Sequence, residues 1–251
     1  MLQTPFCAFE NSREGATMNQ RNYQKELDQV IAGLEEQGKV PRLLLHSCCA
    51  PCSSYVLEYL SRYFEITVYF YNPNIDQPEE YKRRVKEQQR LIASMDFIHP
   101  VTLETGAYEP EEFHRIVRGL EKEPEGGARC FKCYELRLQE AAKVAQAGRF
   151  DYFTTTLSIS PLKNAEKLNE IGEKLAKEYR VPYLPSDFKK KNGYKRSVEL
   201  SEKYNLYRQD YCGCIYSQKE RQKLSEISYT RKCFVKYVKD IRVCLDTNWI
   251  L

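Results

Sequence analysis

Six of the ten cysteines in this chain of 251 residues fall into three tight pairs. They lie far apart in the sequence and are Cys48, Cys49, Cys130, Cys133, Cys212 and Cys214, with Cys52 shortly after the first pair. A metal–sulfur site needs thiolates gathered from several loops, because its ligands must converge on one centre. The grouping therefore predicts a protein built around sulfur chemistry. We assign no role to the isolated Cys7, Cys233 and Cys244.

The first pair lies between a short apolar stretch and a helical one, so it occupies a loop just before a helix N-terminus. Backbone N–H groups and the positive end of the helix dipole lower the pKa of a thiol there and favour the metal-binding thiolate. Side chains on neighbouring Cα atoms should diverge, so we expect Cys48 and Cys49 to reach different corners of a larger cluster rather than share one zinc ion. The alternative is that one of the two is merely buried.

The second pair, Cys130 and Cys133, is a C-x-x-C motif near the start of a helix. By itself this motif suits half of a zinc site, a redox-active dithiol or part of an iron–sulfur site. Added to Cys48 and Cys49 it completes four thiolates, which fit either structural zinc or a [4Fe-4S] cluster.

The third pair, Cys212 and Cys214, is separated by a single glycine. The glycine would let the two cysteines turn toward each other as a strained disulfide, and strained disulfides are the readily reduced ones. A further metal ligand is the competing interpretation of this pair.

Composition and charge indicate an ordinary globular protein. Hydrophobic residues make up 42% and charged residues 29%, and no apolar run approaches the roughly 20 residues that span a bilayer. The first twenty residues lack the apolar core of a secretory signal. We therefore expect a cytoplasmic protein without a membrane partner, where metal or redox roles for cysteine are favoured over a disulfide scaffold. The net charge of +4 permits a nucleic-acid partner without requiring one.

Short apolar stretches alternate with helical patterns along the chain, which predicts a parallel sheet. Strands are expected at 42–47, 65–71, 97–103 and 152–156, and helices at 19–38, 55–60, 78–95, 110–119, after Cys133 and at 162–179. The expected fold class is α/β, a single domain with a mainly parallel, Rossmann-like sheet of the PP-loop and HUP type flanked by helices, with the site at the carboxyl ends of the strands. Residues 1–20 are expected to be a flexible segment, 21–224 the catalytic domain, and 225–251 an appendage without clear periodicity.

Several other residues could contribute to a site. Lys189, Lys190, Lys191, Tyr194, Lys195 and Arg196 combine positive charge with an aromatic ring, a combination that binds single-stranded RNA, although a solvated loop is the alternative. We expect 82–84 to be a solvated helix face. His46 ends the strand that leads into the first cysteine pair and is either a proton donor or, more simply, a core histidine. The stretch 154–160 could line a pocket, and Asp187 is a conceivable acid.

Six segments, taken in order, resemble the epoxyqueuosine reductases of the QueH type. The resemblance runs from about Leu43 to Arg221, and the segments that carry it are LLHSCCAPC at 44–52, FYNPNI at 70–75, RCFKCY at 129–134, TTTLSISP at 154–161, DFKK at 187–190 and CGC at 212–214. Several motifs in one order are far more specific than a lone C-x-x-C motif.

The resemblance implies an iron–sulfur oxidoreductase that removes the epoxide oxygen of epoxyqueuosine at the wobble position of a tRNA anticodon, the last step of queuosine biosynthesis. It implies that Cys48, Cys49, Cys130 and Cys133 hold a [4Fe-4S] cluster. It also implies that Cys212 and Cys214 are a redox-active pair, and it leaves open a role for Cys52 near an additional iron ion. The implied partners are tRNA carrying epoxyqueuosine and an unidentified electron donor.

Two other functions are alternatives. The loop at 47–54 occupies the place where PP-loop enzymes that thiolate tRNA hold pyrophosphate, but the chain has cysteines there instead of a glycine-rich motif, so we expect no use of ATP. A zinc-stabilised RNA-binding module without catalysis would explain four cysteines and the basic residues. It would leave Cys212 and Cys214 without a role.

Overall fold

The computed structural model describes residues 21–224, so the expectations for 1–20 and 225–251 lie outside the described residues. The elements are α1 (Tyr23–Glu36), β1 (Arg42–His46), α2 (Ala50–Leu60), β2 (Glu65–Phe70), α3 (Pro78–Ser94), β3 (Val101–Thr105), α4 (Pro110–Ile116), α5 (Ala128–Ala147), β4 (Tyr152–Thr155), a 3-10 helix (Thr156–Ile159), α6 (Ala165–Tyr179) and α7 (Gly193–Lys203). Residues 215–224 are also helical.

The four strands form one sheet in the order β3-β2-β1-β4, and every pairing is parallel. Parallel strands are buried on both faces by their crossover helices, which is why β1 is a continuous apolar run. Leu43 and Leu45 pack in the hydrophobic cluster that includes α1 and α2, whereas Leu44 packs with α5 and α6 on the other face. The predicted α/β fold with a parallel sheet flanked by helices is confirmed.

Of the element boundaries that differ from the prediction, three concern the cysteines or the sheet edge. Helix α2 begins at Ala50, well before the expected start, because Pro51 lies in the first turn, where no backbone N–H is needed. Helix α5 begins at Ala128, so the second cysteine pair lies inside the helix. Strand β3 begins only after Pro100, whose ring nitrogen has no hydrogen to donate to a ladder.

The topology places the candidate residues at one edge of the sheet. Strand β1 has β2 on one side and β4 on the other, and the loops that leave β1 and β4 diverge to opposite faces of the sheet. In open parallel sheets such a reversal opens a crevice beyond the carboxyl ends of the strands. The first cysteine pair follows β1 directly, so it stands in this crevice. Within residues 21–224, no helix is long and apolar enough to cross a membrane.

Candidate metal and redox site

Three cysteines meet where β1 passes into α2. The Sγ atoms of Cys48, Cys49 and Cys52 all lie within 4.8 Å of one another, and those of Cys48 and Cys49 are 3.7 Å apart. The expectation that the adjacent side chains diverge is therefore wrong, because the chain changes direction from strand to helix between them. Thiolates bound to a tetrahedral zinc ion are separated by about 3.8 Å. The spacing of this pair thus matches that of two ligands on one metal ion.

Contacts among the three thiols shift their pKa values in opposite directions. The pKa of Cys48 is held well below its ordinary value because Cys49 and Cys52 donate hydrogen bonds to its sulfur, with a smaller contribution from the Thr156 hydroxyl 3.7 Å away. The same contact with Cys48 raises the pKa of Cys49 to about 12 and holds that of Cys52 well above its ordinary value. A bound metal would displace the protons of Cys49 and Cys52, because only thiolates are ligands.

The second pair lies in the first two turns of α5, where the backbone N–H of Gly126 donates to Cys130 Sγ at 3.2 Å. Burial raises the pKa of Cys130 and raises that of Cys133 to about 12. These two sulfurs are not part of the three-sulfur group after β1. Both groups nevertheless border one hydrophobic cluster, since Cys48 and Cys130 pack against it.

Arg137 connects the two groups electrostatically. Its side chain is 1% exposed and donates to Asn72 Oδ1 at 2.5 Å and to Cys133 Sγ at 3.9 Å. Its positive charge also lowers the pKa of Cys48. None of its contacts within residues 21–224 is with a carboxylate, and a buried cation is costly without an anionic partner. The thiols of the two groups and this buried positive charge fit an anionic thiolate-bound metal group.

His46 is a core histidine rather than a cavity acid. Its Nδ1 lies 2.8 Å from Thr155 Oγ1 and its Nε2 lies 3.1 Å from the carbonyl oxygen of Tyr71. Burial, assisted by the charge of Arg137, lowers its pKa to about 3. Asp187 pairs with Lys189 at 2.8 Å and does not line the main cavity.

The expectation that residues 82–84 form a solvated helix face is wrong for Arg84. Lys82 is exposed, but the Arg84 side chain is 2% exposed and pairs with Glu80 at 2.7 Å. Its Nη1 donates to the carbonyl oxygen of Cys212 at 3.1 Å, and its Nη2 is buried without a partner. The sequence shows that this helix is charged, but not that the loop containing the third cysteine pair covers one of its arginines.

The third pair is held against the segment that follows β2. The backbone N–H of Asp76 donates to the carbonyl oxygen of Gly213 at 3.3 Å, and the Asp76 carboxylate accepts a hydrogen bond from the backbone N–H of Ile215. Ser217 Oγ accepts from the backbone N–H of Cys212 at 3.1 Å. The loop therefore has a defined position relative to the sheet.

Gly213 is required in this loop for two reasons. Its φ of +121° lies where only glycine is comfortable, and a Cβ atom there would stand 2.8 Å from Ile75 Cγ1. Cys212 and Cys214 are free thiols on either side of it. Burial, followed by the nearby Cys212, raises the pKa of Cys214 to about 11.

A main cavity of about 470 Å³ opens above these sulfurs. Its lining includes Cys48, Cys49, Cys52, Cys212, Arg84, Glu125, Ser160, Lys163, Tyr194, Arg208, Tyr211 and Arg221. A second cavity, of only about 10 Å³, is lined by Cys130, Cys133, Cys212 and Cys214. Glu125, Lys163 and Cys212 line both. The seven cysteines within residues 21–224 therefore border one continuous region of the molecule.

Most of the basic side chains in the stretch 189–196 form ion pairs with acidic residues. Lys191 pairs with Asp28 and Arg196 with Glu58, each at 2.7 Å. Tyr194 is 41% exposed and lines the main cavity. The other cavity cations, Lys163, Arg208 and Arg221, were not singled out from the sequence. Arg208 and Arg221 lie within thirty residues after Tyr194, and this closeness in sequence is the feature that could have identified them.

Comparisons with known proteins point to one family. A family model described as epoxyqueuosine reductase QueH matches residues 43–220. The chain is 46% identical over 206 residues to an epoxyqueuosine reductase QueH of Staphylococcus epidermidis, an alignment that covers 78% of this chain and 84% of the relative. It is 47% identical over 200 residues to that of Streptococcus pyogenes, covering 79% and 78%, and 32% identical over 196 residues to that of Thermotoga maritima, covering 75% and 97%.

Proposed function

This chain belongs to the epoxyqueuosine reductase QueH family, and on that premise we propose that it reduces the epoxide of epoxyqueuosine in the wobble position of a tRNA anticodon to give queuosine. Family membership makes the chain an oxidoreductase. The observation that best supports the proposed reaction is the large cavity bordered by Cys48, Cys49, Cys52 and Cys212. A reductase of a bulky substrate needs such a combination of a pocket and redox-capable sulfur.

Cys48, Cys49, Cys130 and Cys133 would hold a [4Fe-4S] cluster. When bound, such a cluster would supply electrons to the cavity. The buried charge of Arg137 supports this assignment, because a cluster with four thiolates carries net negative charge. Cys52 is the remaining thiol of the first group and is the candidate ligand for an additional iron ion.

Cys212 and Cys214 would form the redox-active pair. Cys212 borders both cavities, whereas Cys214 borders only the small one, so Cys212 is the sulfur closer to substrate and solvent. Oxidation of the pair to a disulfide releases two electrons and two protons, which is what the removal of an epoxide oxygen as water consumes. An external electron donor would then restore the dithiol.

The substrate would be a nucleoside extruded from a tRNA loop. The volume of the main cavity falls within the range typical of small-molecule sites. Tyr194 and Tyr211 offer rings on which a base could stack, and Arg208 and Arg221 offer positive charge to the flanking phosphates. Lys190 and Lys195, which have no ion-pair partner within residues 21–224, are further phosphate contacts.

Anaerobic purification followed by analysis of iron, acid-labile sulfide and zinc tests the cofactor. About four iron and four sulfide per chain would support the cluster, and iron in excess of sulfide would support the additional iron. Conversion of epoxyqueuosine in tRNA, followed by mass spectrometry of the digested nucleosides, tests the reaction. Colourless protein with stoichiometric zinc and no conversion would instead support the zinc-stabilised RNA-binding module.

A further inference from the structure

Lys163 lies in the wall between the two cavities. It follows the 3-10 helix and immediately precedes the N-cap of α6, and its side chain is 7% exposed. Its ammonium nitrogen lies 2.9 Å from Glu125 Oε1 and 3.3 Å from Cys212 Sγ. The lysine thus contacts one sulfur of the proposed redox pair and borders the proposed substrate cavity.

The charge of Lys163 is maintained by its surroundings. Burial lowers its pKa, but the facing groups, which are Cys212, Tyr134 and Glu125, raise it, and the net shift is well above the ordinary value. The side chain therefore carries an N–H donor and a positive charge in the neutral pH range, within a region from which bulk water is largely excluded.

The proposed reaction needs a proton at this place. An oxygen that leaves an epoxide carbon becomes strongly basic and must be protonated to depart as water. The other cations in the lining of the main cavity are arginines, which do not give up their protons. Within residues 21–224, Lys163 is the lysine that lines this cavity.

We propose that Lys163 relays a proton from the Cys212 thiol to the epoxide oxygen of the substrate. This inference rests on the proposed function. As the first carbon–oxygen bond breaks, Lys163 gives a proton to the oxygen, and the resulting amine takes the proton of Cys212 as that sulfur is oxidised. Cys214 supplies the second proton, the two sulfurs form a disulfide, and the two electrons they release leave a carbon–carbon double bond and water. Dithiol and epoxide are thereby converted to disulfide, alkene and water with atoms and electrons balanced.

Single-turnover conversion by the pre-reduced holoenzyme tests the relay. Lys163→Met should lower the rate constant by roughly 100-fold or more, the usual contribution of a general acid, without changing iron, sulfide or tRNA affinity. Lys163→Arg should be equally slow, because it keeps the charge but not the transferable proton. Lys174→Met, which removes an exposed lysine paired with Glu135, is the matched control and should be unaffected.

Two results would contradict the relay. If Lys163→Arg turned over at the wild-type rate, the role of the residue would be electrostatic only. If a folded, cluster-loaded Lys163→Ala variant turned over at the wild-type rate without added ethylamine, no proton transfer at this position would be needed. Absence of conversion by the wild-type enzyme would instead refute the proposed function, which keeps the two failures distinct.

A readout without turnover checks the contact itself. In metal-free protein, alkylation of Cys212 by iodoacetamide can be followed by mass spectrometry of its peptide. Lys163→Met should change the rate of this alkylation, because it removes the hydrogen-bond donor that lies 3.3 Å from Cys212 Sγ. Lys174→Met should leave it unchanged. An equal alkylation rate in Lys163→Met would show that Lys163 does not act on Cys212, and the relay would be abandoned.

Discussion

The guanidinium of Arg137 lies 3.9 Å from Cys133 Sγ, one helical turn away on α5, and it has no carboxylate partner within residues 21–224. Its positive charge is therefore balanced only by sulfur. This pairing ties the electrostatics of the buried site to the state of its cysteines, because a thiol cannot neutralise a cation and a thiolate can.

Arg137→Met should consequently weaken metal loading more than it weakens the metal-free fold. In the metal-loaded protein, the substitution removes the positive charge that balances an anionic site. In the metal-free protein, it removes a buried cation that is costly to desolvate, and this gain offsets part of the loss. The remaining losses there are the hydrogen bonds to Asn72 Oδ1 and to His46 Nε2, each worth about 1–3 kcal/mol of unfolding free energy. Iron content and denaturant unfolding of both forms measure the difference. Equal destabilisation of the two forms would contradict this account.

Cys130→Ser and Cys212→Ser should separate ligand from redox roles. We expect Cys130→Ser to lose iron, visible absorbance and turnover together, since serine is a poor ligand for iron–sulfur clusters. Cys212→Ser should keep iron and sulfide but lose turnover. Cys244→Ser is the control, as the sequence gives that residue no role. Loss of iron from Cys212→Ser would move Cys212 from the redox pair to the ligand set.

Gly213→Ala should damage the third cysteine pair without touching a proposed ligand. The added Cβ would meet Ile75, and the backbone conformation disfavours any side chain, so we expect a loss of about 1–3 kcal/mol in unfolding free energy and lower turnover at unchanged iron content. Gly33→Ala in α1 has open space around it and should be neutral or slightly stabilising. Full activity of Gly213→Ala would show that the loop geometry is not needed.

Tyr194→Ala should weaken tRNA binding. Loss of one stacked base costs about 1–3 kcal/mol, which raises Kd by roughly 5- to 150-fold. Tyr194→Phe keeps the ring and should bind nearly as well as the wild type. Fluorescence anisotropy with an anticodon stem-loop measures both variants, and an unchanged Kd for Tyr194→Ala would place the base elsewhere in the cavity.

His46 should make the metal-free protein sensitive to acid. Its pKa is about 3 in the folded chain and about 6.5 in the unfolded chain, so unfolding takes up a proton between these values. Its contribution to stability is complete above about pH 6.5 and is lost as the pH falls toward 3. Denaturant unfolding across this range measures the slope, which should be smaller in His46→Gln. Equal slopes would mean that His46 is protonated in the fold.

The sequence predicts the sheet well because short continuous apolar runs such as Leu43 to Leu45 are typical of a strand that is buried on both faces. It also predicts that the first cysteine pair follows β1, since loops at the carboxyl ends of parallel strands form sites. It does not predict the burial of Arg84 or Lys163. Their surroundings depend on the loop around Cys212, which is distant in sequence, and a basic residue in a polar stretch carries no sign of such a long-range contact.

The hydrogen-bonded thiols beside α2 have a consequence for acid–base stoichiometry. The raised pKa values of Cys49, Cys130 and Cys133 keep those three thiols protonated at neutral pH, whereas the pKa of Cys48 is lowered by its thiol neighbours. Loading a cluster through these four ligands would therefore expel about three protons into the medium. The apparent affinity for metal would rise by about three powers of ten for each unit by which the pH rises. The pH of the surroundings would therefore govern what fraction of the protein holds metal.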